Sequence, residues 1–400
     1  MTTAQKDVCN IAYESDNGRL TITLDGQIST ANAPAVENEV KEHLQGVESV
    51  LIDAAGLTYI SSAGLRILLR LKKAIDDINI VNVSPEVYDI FEVTGFTEML
   101  DIHKAFRKLS VEGCEIIGEG ANGIVYRYDE DTIVKVFKNT DALPEIERER
   151  ELARTAFVLG VPTAISYDIV QVEGGLYGTV FELLNADSYL HLLKEGVKTV
   201  DEIAEMSAEL LKVVHGTELK KGVLPDRKEI SMKRMNIIRE KGVMPADEFE
   251  RLDALVREIP SDTHMLHGDF HVKNVMIQNG ESLLIDMDTL CVGNPVYEFA
   301  GMFLPYIGFA KIDPEDPVRF FGLTPEVTEE LYNKIMKYYY ADKPEELDKA
   351  MKKAIVLASA RMMYYCAVMK HVTEKNKDAI IAMCRDNFNK LLPELDDLAV

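Results

Sequence analysis

The run His267-Gly268-Asp269-Phe270-His271-Val272-Lys273-Asn274, followed by Leu284-Ile285-Asp286, brings two carboxylates and an amide to a fixed offset. Phosphoryl transfer from a nucleotide needs that set. One carboxylate, Asp269, orients or deprotonates an attacking hydroxyl. The Asn274 oxygen and the Asp286 carboxylate hold the magnesium ions that neutralise the triphosphate of ATP. Three ligand-type side chains at set spacing are more specific than a lone glycine-rich loop.

The elements that must position these groups lie upstream. Residues 118–125 read G-x-G-x-x-G-x-V, with Gly118, Gly120, Gly123 and Val125. Such glycines let a hairpin close over phosphates with no Cβ in the way. With 24 glycines in the chain, the match means little alone. Here it opens two expected strands, 123–128 and 132–137, and the second carries Lys135. A lysine between valines on a buried strand needs a partner for its charge. The expected helix at 145–159 offers Glu147, Glu149 and Glu151.

From about residue 114 onward the chain resembles the aminoglycoside phosphotransferase and choline kinase-like branch of the protein kinase fold. Gly268 favours that branch over eukaryotic-type protein kinases. The stretch Gly293-Asn294-Pro295-Val296-Tyr297-Glu298-Phe299-Ala300 resembles the family's G-D-P-x-x-D-L-A segment, with Asn and Glu for the two Asp. The resemblance implies that Asp269 is the catalytic base, Asn274 and Asp286 the metal ligands, and Lys135 the phosphate-binding lysine with Glu149 as its partner. It makes 179–184 the hinge whose backbone binds adenine, with Glu182 and Leu184 as contacts. It also gives His267 a bracing role. Asp288 either faces the metals or solvates the loop.

Residues 11–108 have a logic of their own. Strands are expected at 20–24, 50–53 and 78–83, and helices at 33–44 and 63–74. Gly26 breaks the first strand and a loop follows the second. Ser84-Pro85 starts a third helix as N-cap and first residue. Strands alternating with helices make a small α/β domain. Residues 53–65 and 83–96 resemble the STAS domain of anti-sigma-factor antagonists. In that family a serine at this helix N-terminus is reversibly phosphorylated, and Ser62 matches it. A phosphate there meets free backbone N–H groups. Ser61 stands where the family usually has Asp, so Ser61 and Ser62 as mere helix caps is the competing reading.

The 400 residues exceed one compact core, so several domains are expected: a STAS-like regulatory domain at 11–108, a kinase-like N-lobe at 112–184 and a helical C-lobe at 185–400. The fold class is multidomain, an α/β domain followed by an α+β bilobal protein kinase-like fold with an antiparallel-sheet N-lobe. A net charge of −23 argues against nucleic-acid partners. No apolar run reaches 18 residues, so no membrane span is expected, and 299–310 reads as a buried helix. Five scattered cysteines without a C-x-x-C pair suit a cytoplasmic protein. The segment 220–241 is locally basic, either as a solvated face or as a docking surface for an acidic partner.

The reading is an ATP- and Mg2+-dependent phosphotransferase acting on a hydroxyl of a small molecule, with a STAS module that binds a protein partner. The alternatives are a protein serine kinase acting on Ser62 in cis or in trans, and a non-catalytic nucleotide-binding scaffold. The acceptor is not legible in the sequence.

Overall fold

The computed structural model describes residues 8–120, 122–183, 186–368 and 374–398. Contacts gather residues 1–110 with 169–173 into one compact unit, and 111–168 with 174–400 into a second.

The first unit begins with strands β1 (Cys9–Asp16) and β2 (Arg19–Ile28), then α1 (Ala33–Glu42), β3 (Ser49–Ile60), α2 (Ser62–Ala74), β4 (Asp77–Val83), α3 (Pro85–Val93) and β5 (Asp101–Lys104). The five strands form one sheet in chain order. β1 and β2 are antiparallel; the other neighbours are parallel. Leu20, Ile22, Leu24, Val50, Ile52, Ile78 and Ile80 supply its buried side, the period-2 pattern of strands covered by helices. A short strand, β6 (Arg107–Lys108), pairs in parallel with Val170–Gln171 of β10 (Asp168–Gln171).

Two strands run longer than expected. β2 continues through Gly26, and β3 runs to Ile60 where a loop was expected after Asp53. The ladder between them survives by register shifts at Thr23/Asp25 and Gly26/Gln27. Bulges absorb extra residues without ending a strand, which sequence alternation cannot reveal. β1 was not expected at all; its polar, exposed edge gives little periodic signal.

The second unit opens with β7 (Glu115–Glu119), β8 (Gly123–Arg127), β9 (Thr132–Phe137), α4 (Leu143–Val158) and β11 (Tyr177–Glu182). These strands form an antiparallel array ordered β11-β9-β8-β7. Helices follow: α5 (Tyr189–Lys194), after the short β12 (Asp187–Ser188), then α6 (Val200–His215), α7 (Arg227–Lys241) and α8 (Ala246–Glu258). The short β13 (Met265–Leu266) pairs with β16 (Cys291–Val292). Between them β14 (Val275–Gln278) and β15 (Glu281–Leu284) make a hairpin through Asn279 and Gly280, both at positive φ. Asn-Gly suits such a turn. The chain closes with α9 (Val296–Phe303), α10 (Asp316–Phe321), α11 (Pro325–Tyr339), α12 (Leu347–Val368) and α13 (Glu374–Leu391). One apolar core joins α4 to these helices. The 299–310 segment is buried as expected, but it passes from α9 into a π-helical turn at Leu304–Gly308. Among the described residues no helix is long and apolar enough to cross a membrane.

Candidate active site

Three segments far apart in sequence converge on Lys135. Its Nζ on β9 donates to Glu149 Oε1 of α4 at 3.0 Å and to Asp286 Oδ1 at 3.1 Å. Burial opposes the Lys135 charge, yet the two carboxylates outweigh it and hold its pKa above the ordinary lysine value. Of the three helix glutamates considered, Glu149 is the one that reaches it. Asp288 is mostly buried beside this group. Burial, then the charges of Asp286 and Glu149, push its carboxyl up to about 7. The cluster therefore carries more acid than its single lysine balances.

Asp286 sits just after β15 at φ 63°, left-handed backbone that a non-glycine residue adopts only under tertiary constraint. The Ile285 N–H donates to the Asn274 carbonyl at 3.0 Å, so Asp286 leaves the hairpin beside the 267–274 loop. Asn274 is buried and its Nδ2 donates to the Asp269 carbonyl at 3.1 Å, leaving Oδ1 as its acceptor atom. Asp269 is 45% exposed, and its Oδ2 lies 3.6 Å from His271 Nε2. Burial keeps the His271 ring below its usual pKa, hence neutral.

The loop itself is braced from below. His267 is fully buried; its Nε2 donates to the Ile285 carbonyl at 3.1 Å, and its Nδ1 accepts the Asp269 N–H at 3.3 Å. Both ring nitrogens are thereby engaged, which suits bracing and leaves neither for proton transfer. Gly268 has φ 85°, and a Cβ there would lie 2.4 Å from the Thr289 carbonyl oxygen. That contact explains glycine between His and Asp better than any role in catalysis. Gly118 and Gly120 differ: neither has positive φ, and a Cβ on either would meet only ordinary contacts or open space. At Gly123 a Cβ would press the Val136 carbonyl oxygen at 2.8 Å, so that glycine serves the β8–β9 pairing. Val125 pairs with Lys135 across the same strands. Glu182 ends β11 as an exposed residue; Leu184 lies outside the described residues.

Four residues outside the expected set hold the loop. Glu298 of α9 is fully buried and accepts the Gly268 N–H at 3.0 and 3.1 Å and the Phe270 N–H at 3.4 Å. Burial alone would raise its pKa, but His215, His267 and the Gly268 N–H together hold it down at about 2. His215 Nε2 stands 3.8 Å from the carboxylate, too far for a hydrogen bond. Its Nδ1 meets the Tyr339 hydroxyl at 2.9 Å. The Val272 N–H donates to the Tyr306 hydroxyl at 3.0 Å, and Tyr306 belongs to the π-helical turn. Glu298 was legible as the substituted second acid of the Gly293–Ala300 stretch; Tyr306, His215 and Tyr339 carried no sequence signal.

The model of the phosphotransferase enzyme family matches residues 113–322. The chain belongs to that family. A STAS domain model matches residues 10–109, so a STAS domain precedes the phosphotransferase domain. The STAS domain is 32% identical over 97 residues to BtrV of Bordetella bronchiseptica, assigned as an anti-sigma factor antagonist; the match covers 23% of this chain and 84% of that protein. Among solved structures, a thermostable mutant of aminoglycoside phosphotransferase APH(4)-Ia in complex with ADP and hygromycin B is 13% identical with a TM-score of 0.50. It covers 69% of this chain and 93% of its own. The AMP-PNP and hygromycin B complex of another mutant of that enzyme gives the same values. At such identity the likeness is one of fold.

In the STAS domain, Ser61 is the N-cap of α2: its Oγ accepts the Gly64 N–H at 3.3 Å. Ser62 is the first helical residue and is exposed. The capping duty therefore falls on Ser61, and the Ser62 hydroxyl makes no part of it.

Proposed function

We propose that the phosphotransferase domain transfers the γ-phosphate of ATP to a hydroxyl of a small molecule, with the STAS domain as its regulatory module. The observation that carries this reading is the meeting of Lys135, Glu149 and Asp286 next to the loop that bears Asp269. Lys135, aligned by Glu149, contacts the nucleotide phosphates. Gly118 and Gly120, which the fold leaves uncrowded, let the β7–β8 hairpin approach them. The end of β11 at Glu182 supplies the contact to the base. Asp269 receives the proton of the attacking hydroxyl, and its exposure leaves it open to an acceptor.

The oxygen donors present fit Mg2+. Among the described residues no three His, Cys, Asp or Glu side chains form a protein-only metal cage. Mg2+ does not need one, since it keeps water and takes phosphate oxygens alongside one or two carboxylates. The acid excess around Asp286 and Asp288 supports a divalent ion there, with Asn274 and Asp286 as the residues that hold it. Such an ion supplies neutralisation of the phosphate charge. Everything else is positioning by this chain.

The test is ADP release by the full chain with ATP, Mg2+ and a library of hydroxylated metabolites. Asp269→Ala should keep nucleotide binding and lose transfer by at least about a hundredfold. Asp286→Ala should lose nucleotide affinity as well. Wild-type turnover by Asp269→Ala would sink the assignment. The exposure of Ser62 at the start of α2 favours one second reading, phosphorylation of that serine. Mass spectrometry after incubation with ATP, compared with Asp269→Ala, separates it: phosphate on Ser62 that depends on Asp269 makes the protein its own acceptor.

A further inference from the structure

The basic segment 220–241 divides in the fold. Lys233, Arg239 and Lys241 face solvent, and Arg239 pairs with Asp253 at 3.1 Å. Arg227 and Arg234 turn the other way, into a small, partly open cavity also lined by Ser231, Tyr297, Gly301 and Arg361. Arg227, Ser231 and Arg234 share one face of α7 at helical spacing. Arg361 enters from α12, 134 positions after Arg227 in the chain numbering.

Acidic residues outnumber basic ones 67 to 44 in this chain. Yet among the described residues none of these three arginines has a carboxylate within ion-pair distance. Arg227 is buried, with a relative exposure of 6%. Its chain neighbour Asp226 caps α7 by accepting the Lys228 N–H at 2.7 Å. Arg234 lies over the Tyr364 ring, and Arg361 over Tyr365, whose hydroxyl it also reaches at 2.6 Å. Burial, then the like charges of Arg227 and Arg361, lower the Arg234 pKa to about 10. The Tyr297 hydroxyl is buried in the same cavity, with Ser231 as its polar neighbour. Three like charges turned into one cavity repel one another, and an anion placed among them would relieve that repulsion.

The cavity backs onto the loop that bears Asp269. Its wall residue Gly301 belongs to α9, the helix whose Glu298 accepts the Gly268 N–H. A Cβ built on Gly301 would lie 3.7 Å from the Gly268 carbonyl oxygen and 3.2 Å from Arg361 Nη1. We infer that the acceptor is a hydroxylated small molecule bearing an oxyanion group, phosphate or carboxylate, which Arg227, Arg234 and Arg361 grip while its hydroxyl is presented to Asp269. Guanidinium forks match both groups geometrically. This inference rests on the phosphotransfer reading and narrows it: a polycationic amino sugar would meet repulsion in this cavity.

Two measurements on the full chain test it. Calorimetric titration with sulfate, with ADP present to fill the nucleotide site, should give binding. That binding should weaken at least about tenfold in Arg234→Gln and in Arg361→Gln, each checked for folding by circular dichroism, and persist in Lys233→Gln, on the solvent face of the same helix. ADP-release assays should then find turnover with sugar phosphates or hydroxycarboxylates, the two classes being assayed apart. For those acceptors Arg361→Gln should raise KM while leaving KM for ATP unchanged, and Arg361→Lys should recover part of the loss. Sulfate binding that ignores both arginine variants overturns the inference. So does turnover on neutral or cationic alcohols with kinetics unaffected by them. Arginine-dependent sulfate binding with no transfer to any acceptor would instead uphold the anion site and count against the phosphotransferase reading.

Discussion

The start of α2 in the STAS domain and the 267–274 loop of the phosphotransferase domain both hold a polar group ready at a surface. They do so over different ranges. Ser61 caps α2 through an amide three residues away, and Ser62 is presented by the helix it begins. The other loop is held by Glu298 from 30 residues away, by Tyr306 from 34, and meets an ion cluster that spans 151 residues of sequence. A local device tolerates change around it. A long-range one fails when any member is lost, because a buried charge or N–H is left unpaired.

The largest expected effect lies at the exposed end of the long-range device. Asp269→Asn should cut transfer by about a hundredfold or more while leaving unfolding by denaturant within about 0.5 kcal/mol of wild type, since the side chain is 45% exposed and packs little. A large stability loss would mean that Asp269 belongs to the bracing rather than to the chemistry.

Glu298→Gln should do the reverse first, destabilising by roughly 2 kcal/mol because charge-assisted bonds to the Gly268 and Phe270 amides weaken. The acid limb sharpens this. The folded pKa of Glu298 lies near 2 against an ordinary 4.5, so its contribution is fully present above about pH 4.5 and disappears as pH falls toward 2. Denaturant midpoints measured between pH 2 and 6 should show a slope in the wild type that Glu298→Gln reduces. Parallel curves would remove Glu298 from the loop's support.

In the STAS domain the effects shrink. Ser61→Ala should cost about 1 kcal/mol, read as faster hydrogen exchange of the Gly64 amide with β3 unaffected. Smallest of all, Ser62→Ala should change stability by less than about 0.5 kcal/mol, as expected for an exposed side chain outside the cap. If Ser62→Ala destabilises as much as Ser61→Ala, the two serines share the cap and the division of labour between them is wrong.

Most of the expected set was legible because its geometry is short-range. The Asp269 to Asn274 offset is one loop, the valines around Lys135 announce a strand, and Ser84-Pro85 announces a helix start, with Ser84 capping it by accepting the Val87 N–H. Glu149 needed the family resemblance to be chosen among three glutamates, since α4 presents several and only packing against β9 selects one. The continuation of β3 to Ile60 escaped because bulged pairing with β2 breaks the alternation that marks a strand.

The sequence by itself determined the two-part architecture and the residue types for phosphoryl transfer, since hydrophobic period, caps and motif spacing act within a few residues. Only the tertiary structure decided which acids surround Lys135, which carboxylate holds the Gly268 amide, and which arginines of a basic helix turn inward to meet Arg361. Those outcomes depend on how α4, α7, α9 and α12 pack in three dimensions. A helix carries charges on every face, and burial is a property of its neighbours.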